Sequence, residues 1–243
     1  MHSTDDHAPW QHPGVLASLR ALGALHDPSV FVNGGDSADM ASVSHHNTGK
    51  PLVQENLRLI KDLEGMQSLL NAQTETMKNL KHKVLVDSNH ANWLTQFIER
   101  NPMLVGLLDW ETVSNQWLPG WDVYYGIKGE NKVFYFGDLV IRHGHQERGG
   151  ITKGHEIFIK YLCGHWHAHN EFLRATAAGA GCMLGPAYVE NNITAWTNTL
   201  TTLQKWKDKS AQQIRTILHN DQKETSSFCY RNKIYTVPWY KIS

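Results

Sequence analysis

Residues 162–170 read Leu-Cys-Gly-His-Trp-His-Ala-His-Asn. The first two of these residues end an apolar run that starts at residue 157. The run predicts a buried strand or the end of a helix. On a strand, the side chains of His165 and His167 would point the same way, because side chains alternate with period two. Two imidazoles would then converge on one point, as two ligands of a metal ion must. His-x-His also occurs on ordinary polar strand faces, so the interpretation depends on the residues upstream.

Composition restricts the classes of protein that the chain can represent. The 243 residues carry 23 Lys and Arg against 23 Asp and Glu, so no bulk charge draws the chain to nucleic acid or to a membrane surface. The three cysteines are an odd number without Cys-x-x-Cys spacing, which predicts free thiols in the reducing cytoplasm. No apolar run approaches about 18 residues, so we expect no membrane span. We expect one domain over residues 1–243, with its motifs within 5–170 and strands plus an appended segment in 171–243.

Four motifs upstream carry oxygen or imidazole ligands, and three of them follow short apolar runs that predict strands. They are Asp5-x-His7, Gly35-Asp36-x-x-Asp39 after residues 29–33, Asn89-His90 after residues 83–86, and His143-Gly144 after residues 139–142. Open α/β sheets place their chemistry at the carboxyl ends of strands. Taken singly, each motif also fits a simpler interpretation: a surface tail, a solvated turn, a loop or a hydrogen-bonded surface histidine.

With the histidines of the opening stretch, the motifs supply seven candidate metal ligands: Asp5, His7, Asp36, Asn89, His143, His165 and His167. One ion needs about four ligands, so the set suffices for two ions that share one ligand. A shared carboxylate would hold the ions about 3.5–4 Å apart and let each grip one substrate oxygen. Nitrogen and oxygen ligands without thiolate suit manganese, which we expect, or iron, zinc or nickel, rather than calcium.

In this order the motifs resemble the pattern of the calcineurin-like metallophosphoesterase family: Asp-x-His, Gly-Asp-x-x-Asp, Gly-Asn-His-Asp/Glu, a later His, then Gly-His-x-His. The resemblance covers residues 5–170. It is closest to the small phage and bacterial members, in which Ala-Pro follows the first motif, as at Ala8-Pro9, and Gly follows the later His, as at Gly144. It implies a four-layer α/β/β/α sandwich with mixed β-sheets and a site at the strand ends. For a phage-encoded member, the expected compartment is the host cytoplasm.

The resemblance also implies a role for each matched residue. One metal ion would be held by Asp5, His7 and His167, the other by Asn89, His143 and His165, and Asp36 would bridge the two. His90 would protonate or stabilise the leaving oxygen, with Asp39 holding its imidazole, while a metal-bridging hydroxide attacks phosphorus in line. The implied function is hydrolysis of a phosphomonoester or phosphodiester, such as a nucleotide or a nucleic-acid end, with no membrane partner.

The third motif departs from the family pattern, because it reads Ser88-Asn89-His90-Ala91. Ser88 is expected to strain a turn that glycine would relax, and Ala91 removes an acid that usually supports the loop. An alternative function is therefore a catalytically weak or inactive binding scaffold of the same fold. A third interpretation is a structural zinc protein, which predicts a closed site rich in Cys ligands, whereas only Cys163 lies beside a motif.

The remaining patterns predict the secondary structure around the motifs. Helical spacing predicts a helix from Pro13 to about Leu25, and a second from about Pro51 whose apolar face continues to Leu80. A two-residue turn at 137–138 predicts a hairpin, and residues 228–237 predict a closing hairpin. Residues 197–224 are polar, with apolar positions at roughly helical intervals, which predicts an appended helical or partly ordered segment.

Overall fold

The computed structural model describes residues 1–124, 133–145, 160–184 and 195–242. Its larger sheet consists of β1 (His2–Ser3), β2 (Val30–Asn33), β3 (His82–Val86), β4 (Asp122–Tyr124), β10 (Thr199–Trp206) and β11 (Lys209–Thr216). The strand order is β11-β10-β1-β2-β3-β4. Strands β1 to β4 are parallel, whereas β10 and β11 are antiparallel to their neighbours. The carboxyl ends of β1, β2 and β3 therefore meet at one edge of the sheet, where the first three motifs follow them.

A second mixed sheet carries the later motifs. It consists of β5 (Phe134–Phe136), β6 (Leu139–Arg142), β7 (Lys160–Cys163), β8 (Asn170–Phe172) and β9 (Ala175–Ala177), in the order β5-β6-β7-β9-β8. The three central strands are parallel and the two outer strands are antiparallel. The predicted hairpin is confirmed, since Gly137, at a φ of 65°, and Asp138 turn β5 into β6. His143 follows β6 directly, and His165 follows β7.

The two mixed sheets pack face to face on a shared apolar layer. Val32 and Val84 from the larger sheet meet Ile141 and Leu162 from the smaller one. Alternate residues of the larger sheet, such as Phe31, point to its other face and pack against helices. Because successive side chains of a strand point to opposite faces, the larger sheet contributes to two separate hydrophobic cores.

The helices are α1 (Pro13–His26), α2 (Pro51–Gln54), α3 (Leu59–Thr74), α4 (Asn89–Arg100) and α5 (Trp110–Trp117). As predicted, Pro13 occupies the first turn of α1, and the Nδ1 of His12 accepts a hydrogen bond from the Gly14 N–H at 3.0 Å. A small antiparallel sheet of β12 (Leu218–Asn220), β13 (Thr225–Tyr230) and β14 (Lys233–Pro238) packs on α1. Its last two strands confirm the predicted closing hairpin.

Two predictions of helix are wrong. Residues 55–58 interrupt the helix expected from Pro51, and Leu80 lies beyond the end of α3. Residues 197–224 form β10, β11 and β12, and β10 pairs with β1 in the middle of the larger sheet. Leu200 of β10 packs with the helices, whereas Leu203 packs between the sheets. Because β10 is buried on both faces, its apolar residues lie three apart and imitate a helical spacing.

Helices, larger sheet and smaller sheet are stacked in that order, so the prediction of an α/β sandwich with mixed sheets is confirmed. Val140, Tyr161 and Ala175 form an apolar cluster on the other face of the smaller sheet. The expected fourth layer would lie on this face, and residues 146–159 lie outside the described residues. None of the described helices combines the length and the apolar character that crossing a membrane requires.

Candidate metal centre

Five chain segments bring the predicted ligands to one edge of the sandwich. Each segment follows a strand: Asp5 and His7 follow β1, Asp36 follows β2, Asn89 and His90 follow β3, His143 follows β6, and His165 and His167 follow β7. Asn89 and His90 lie in the first turn of α4 rather than in the loop that the sequence suggested. The structure therefore brings all seven predicted ligands together, along with His90.

The first group of potential ligands consists of Asp5, His7 and His167, whose ligand atoms lie within 4.8 Å of one another. The Nε2 atoms of His7 and His167 are 3.2 Å apart, and the Nε2 of His167 lies 3.3 Å from the Oδ1 of Asp5. All three residues are buried. This group matches the first ligand set that the family resemblance implies.

The second group consists of Asp36, His143 and His165. The Nε2 of His143 lies 3.0 Å from the Oδ2 of Asp36 and 2.9 Å from the Oδ1 of Asn89. The Nδ1 of His143 lies 2.9 Å from the carbonyl oxygen of Gly34. Because a carbonyl oxygen can only accept, Nδ1 carries a hydrogen and Nε2 is the atom that can coordinate a metal ion.

Asp36 lies between the two groups. Its Oδ2 is 3.0 Å from the Nε2 of His143, 3.7 Å from the Nε2 of His7 and 3.7 Å from the Nε2 of His90. One carboxylate oxygen therefore faces imidazoles from both groups, which is the position that a bridging ligand needs. A third potential ligand group, of His7, Asp36 and His90, overlaps both.

His90 is held in one orientation. Its Nδ1 lies 2.6 Å from the backbone carbonyl oxygen of Asp39, and its ring lies 3.9 Å from that of Trp93. The carboxylate of Asp39 is farther away, at 3.6 Å from the Nδ1 of His90, and it is nearer to the Nδ1 of His7, at 3.4 Å. In this structure the Asp39 backbone holds the His90 imidazole, while the Asp39 carboxylate faces a predicted metal ligand.

Five of the predicted ligands have left-handed backbones, which few residues other than glycine adopt. The φ angles are 55° for Asp5, 50° for His7, 49° for Asp36, 69° for His165 and 56° for His167. The expectation that His165 and His167 share one face of a strand is wrong, because β7 ends at Cys163. The two imidazoles instead reach different ligand groups. Each left-handed residue costs on the order of 1–3 kcal/mol, so the fold gives up stability to aim these side chains.

Backbone hydrogen bonds fix these unusual conformations. The Asp5 N–H donates to the Gly35 carbonyl at 3.1 Å, and the His7 N–H donates to the Asp36 carbonyl at 2.8 Å. The His165 N–H donates to both carboxylate oxygens of Asp5 at 2.9 Å. The first, second and last motifs therefore hold one another in place.

The charges of the site favour a bound cation. Asp5 and Asp36 are almost completely buried, and burial alone would raise the pKa of both carboxyls. The neighbouring histidines, His143 first, outweigh burial and hold both pKa values below their usual range. Burial lowers the pKa of His143, but Asp36 and Asp5 outweigh it and raise the value to about 9. Two buried carboxylates among imidazoles form a nitrogen and oxygen donor set that fits divalent transition-metal ions.

Sequence reasoning missed a buried polar network beneath the centre. The Oδ2 of Asp6 accepts hydrogen bonds from the Nδ2 of Asn33 at 3.0 Å and from the Nε2 of Gln73 at 2.9 Å. The Oδ1 of Asn33 in turn accepts from the Gly35 N–H at 3.1 Å. The network thus ties the Asp5-x-His7 segment to the loop that carries Asp36. Its signal in the sequence is Gln73, a lone buried amide on the apolar face of α3.

The departures in the third motif have little structural cost. Ser88 has an extended backbone, with a φ of −148°, so the expected strain is absent. Its Oγ accepts a hydrogen bond from the Ala91 N–H at 3.3 Å and caps α4. The Ala91 carbonyl accepts from the Nε1 of Trp110 at 2.9 Å. None of the three potential ligand groups in the described chain includes a cysteine, which disfavours the structural zinc interpretation.

Comparisons with known proteins add little to this description. No family model and no curated protein matches the chain. A search of solved structures found a double mutant of Vps29 from Entamoeba histolytica, with a TM-score of 0.36 and 9% sequence identity. The alignment covers 96% of this chain and 94% of that one.

Proposed function

We propose that the chain is a phosphoesterase that uses two divalent metal ions to hydrolyse a phosphomonoester or phosphodiester. The observation that carries the proposal is the position of Asp36, whose Oδ2 faces imidazoles of both ligand groups. When bound, two such ions would activate water as a nucleophile and neutralise the charge that develops on the phosphoryl oxygens. Manganese is the proposed metal, with iron, zinc or nickel as alternatives, because the donor set contains nitrogen and oxygen without thiolate.

The residues divide the remaining work among them. Asp5, His7 and His167 hold one side of the centre, and Asn89, His143 and His165 hold the other. His90 contributes from its Nε2, since its Nδ1 is occupied by the Asp39 carbonyl. In the protonated imidazole the Nε2 also carries a hydrogen, and a side chain already fixed by this contact and by Trp93 needs no reorganisation to donate it to the leaving oxygen.

Two tryptophan side chains near the centre favour a substrate with an aromatic group, such as the base of a nucleotide or of a nucleic-acid end. The ring of Trp93 lies 3.9 Å from that of His90, and the ring of Trp196 lies 4.1 Å from that of His167. His90, His7 and His167 contact one another in a row, so the two indoles lie at opposite ends of it. Both indoles are partly exposed and can stack on a planar base.

The alternative is an inactive scaffold of the same fold. Such a scaffold is expected to have lost some of the metal-ligand residues, because binding a partner does not require them. This chain keeps all seven, and five adopt costly backbone conformations that aim them at the centre. Enzymatic activity is therefore the better-supported function. Cys163, Cys182 and Cys229 form no disulfide with one another. This supports a reducing compartment, and we propose the cytoplasm.

The proposal is tested on protein stripped of metal by a chelator and reconstituted separately with manganese, iron, zinc or nickel. Turnover is measured on a generic phosphomonoester, a generic phosphodiester and a nucleotide. We expect metal-dependent hydrolysis, greatest with manganese, that Asp36→Asn abolishes. A fully metallated wild type that is inert on every ester would instead favour the scaffold.

A further inference from the structure

A cavity lined by positively charged side chains lies outside the metal centre. A cavity of about 800 Å³ opens between the hairpin of β10 and β11, the carboxyl end of α1 and the turn between β13 and β14. Polar and cationic side chains line it, among them His26, Thr202, Gln213, Arg215, Tyr230 and Arg231. None of the lining residues that the structure describes has a carboxylate side chain. None of the predicted metal ligands contributes to its wall.

Arg215 is a buried cation without a carboxylate partner in the described chain. It is 7% exposed, and its Nη atoms donate to the Thr202 hydroxyl at 2.6 Å, the Gln213 backbone carbonyl at 3.0 Å and the Gln213 side-chain oxygen at 2.6 Å. All three acceptors are neutral. Its Nε is buried and, among the described residues, has no hydrogen-bond partner. A buried charge that is neither paired nor fully hydrogen-bonded is costly, so this guanidinium would be stabilised by an anion.

A second guanidinium adds to the positive potential of the cavity. Arg231 is exposed at the turn, and its Cζ lies 5.1 Å from the centre of the Tyr230 ring, while the Cζ of Arg215 lies 5.2 Å from it. The Tyr230 hydroxyl lies 3.0 Å from the Nδ1 of His26. Burial lowers the pKa of His26, and the N-terminal amine, Arg215 and Arg231 lower it further. The two guanidiniums therefore converge on this cavity, and none of its described lining residues carries a carboxylate to balance them.

We propose that this cavity binds a phosphate-bearing anion, independently of the metal centre. The guanidinium of Arg231 presents a planar fork of donors that matches phosphate oxygens. Arg215 adds its positive charge to the attraction, while its Nη atoms stay bonded to Thr202 and Gln213. The attraction is stronger in a partly buried cavity than on an open surface, because water screens it less. Arg231 recruits the anion from solvent, and the bound anion compensates the buried positive charge of Arg215.

The test is calorimetric titration of chelator-treated protein with inorganic pyrophosphate at constant ionic strength. Removing metal separates this binding from the hydrolysis proposed above, so either proposal can fail alone. We expect Arg231→Ala to weaken binding about tenfold, the usual scale for one charge-assisted hydrogen bond. The matched control is Arg100→Ala, which removes an exposed cation at the end of α4, outside the cavity, and should leave the affinity unchanged. Absence of binding to the wild type, or equal affinities in wild type and Arg231→Ala, would overturn the proposal.

A second variant addresses the buried charge. Arg215→Met keeps an unbranched side chain but removes the charge, so the melting temperature should rise in phosphate-free buffer. Pyrophosphate should raise the melting temperature of the wild type and leave that of Arg215→Met unchanged. If this variant shows the same pyrophosphate-induced rise as the wild type, the cavity is not the binding site. If the variant does not fold, Arg231→Ala decides the question alone.

Discussion

His90→Ala tests the protonation step of the proposed reaction. The imidazole is 14% exposed, anchored through Nδ1 to the Asp39 carbonyl at 2.6 Å, and directed with Nε2 toward Asp36. An acid already in place contributes roughly 10²–10⁴ to turnover, which corresponds to about 3–5 kcal/mol of barrier height. The loss should be greatest for esters with poor leaving groups, because a good leaving group departs without a proton.

The assay measures turnover on a series of aryl phosphate esters of graded leaving-group acidity, with manganese saturating. Bound metal is measured in parallel by elemental analysis, because His90 also belongs to a potential ligand group with His7 and Asp36. His82→Ala is the matched control, since it removes an exposed histidine at the start of β3, away from the centre. Equal losses on good and poor leaving groups would refute the role in protonation. A drop in metal content would make His90 a ligand instead.

Three further predictions concern the metal ions, the third motif and the response to acid. Elemental analysis after manganese reconstitution should give two ions per chain, and Asp36→Asn should weaken both; a stoichiometry of one in the wild type contradicts the bridging role. Ser88→Gly together with Ala91→Asp should change turnover only slightly, because Ser88 already caps α4 without strain; a sharp gain from an inert wild type would indicate a decayed site. Burial, and then His219, lower the pKa of His12 to about 4. The unfolded chain therefore binds this proton first, and stability falls as the pH drops from about 6.5 toward 4. His12→Asn keeps a cap for α1 and should flatten that decline in urea unfolding curves; an unchanged slope would contradict the assignment.

The strand ends could be predicted because their signal is local. A short apolar run followed at once by ligand side chains marks Asp36, Asn89 and His143 as residues at the edge of a sheet. The strand β10 could not be predicted in the same way. Leu200 and Leu203 serve different cores, so burial on both faces erases the alternation that identifies a strand.

The orientation of the ligand side chains also could not be predicted from the sequence. His165 and His167 adopt left-handed backbones that their residue types disfavour, and only the hydrogen bonds of distant segments impose them. The contact of the Asp39 backbone with His90 is likewise invisible in the sequence, since a carbonyl oxygen is present at every position. Patterns of side chains thus predict which residues meet, whereas long-range backbone contacts decide how they point.

The two-residue strand β1 has a consequence for synthesis on the ribosome. It is the shortest strand of the larger sheet, it lies between β2 and β10, and the segment after it carries Asp5 and His7. The Thr4 and Asp5 carbonyls also accept hydrogen bonds from the N–H groups of Gly181 and Cys182. A nascent chain that has reached only residue 180 lacks every one of these C-terminal contacts. The segment of Asp5 and His7, although translated early, is therefore fixed in place only after residues 181–182 and β10 have been synthesised.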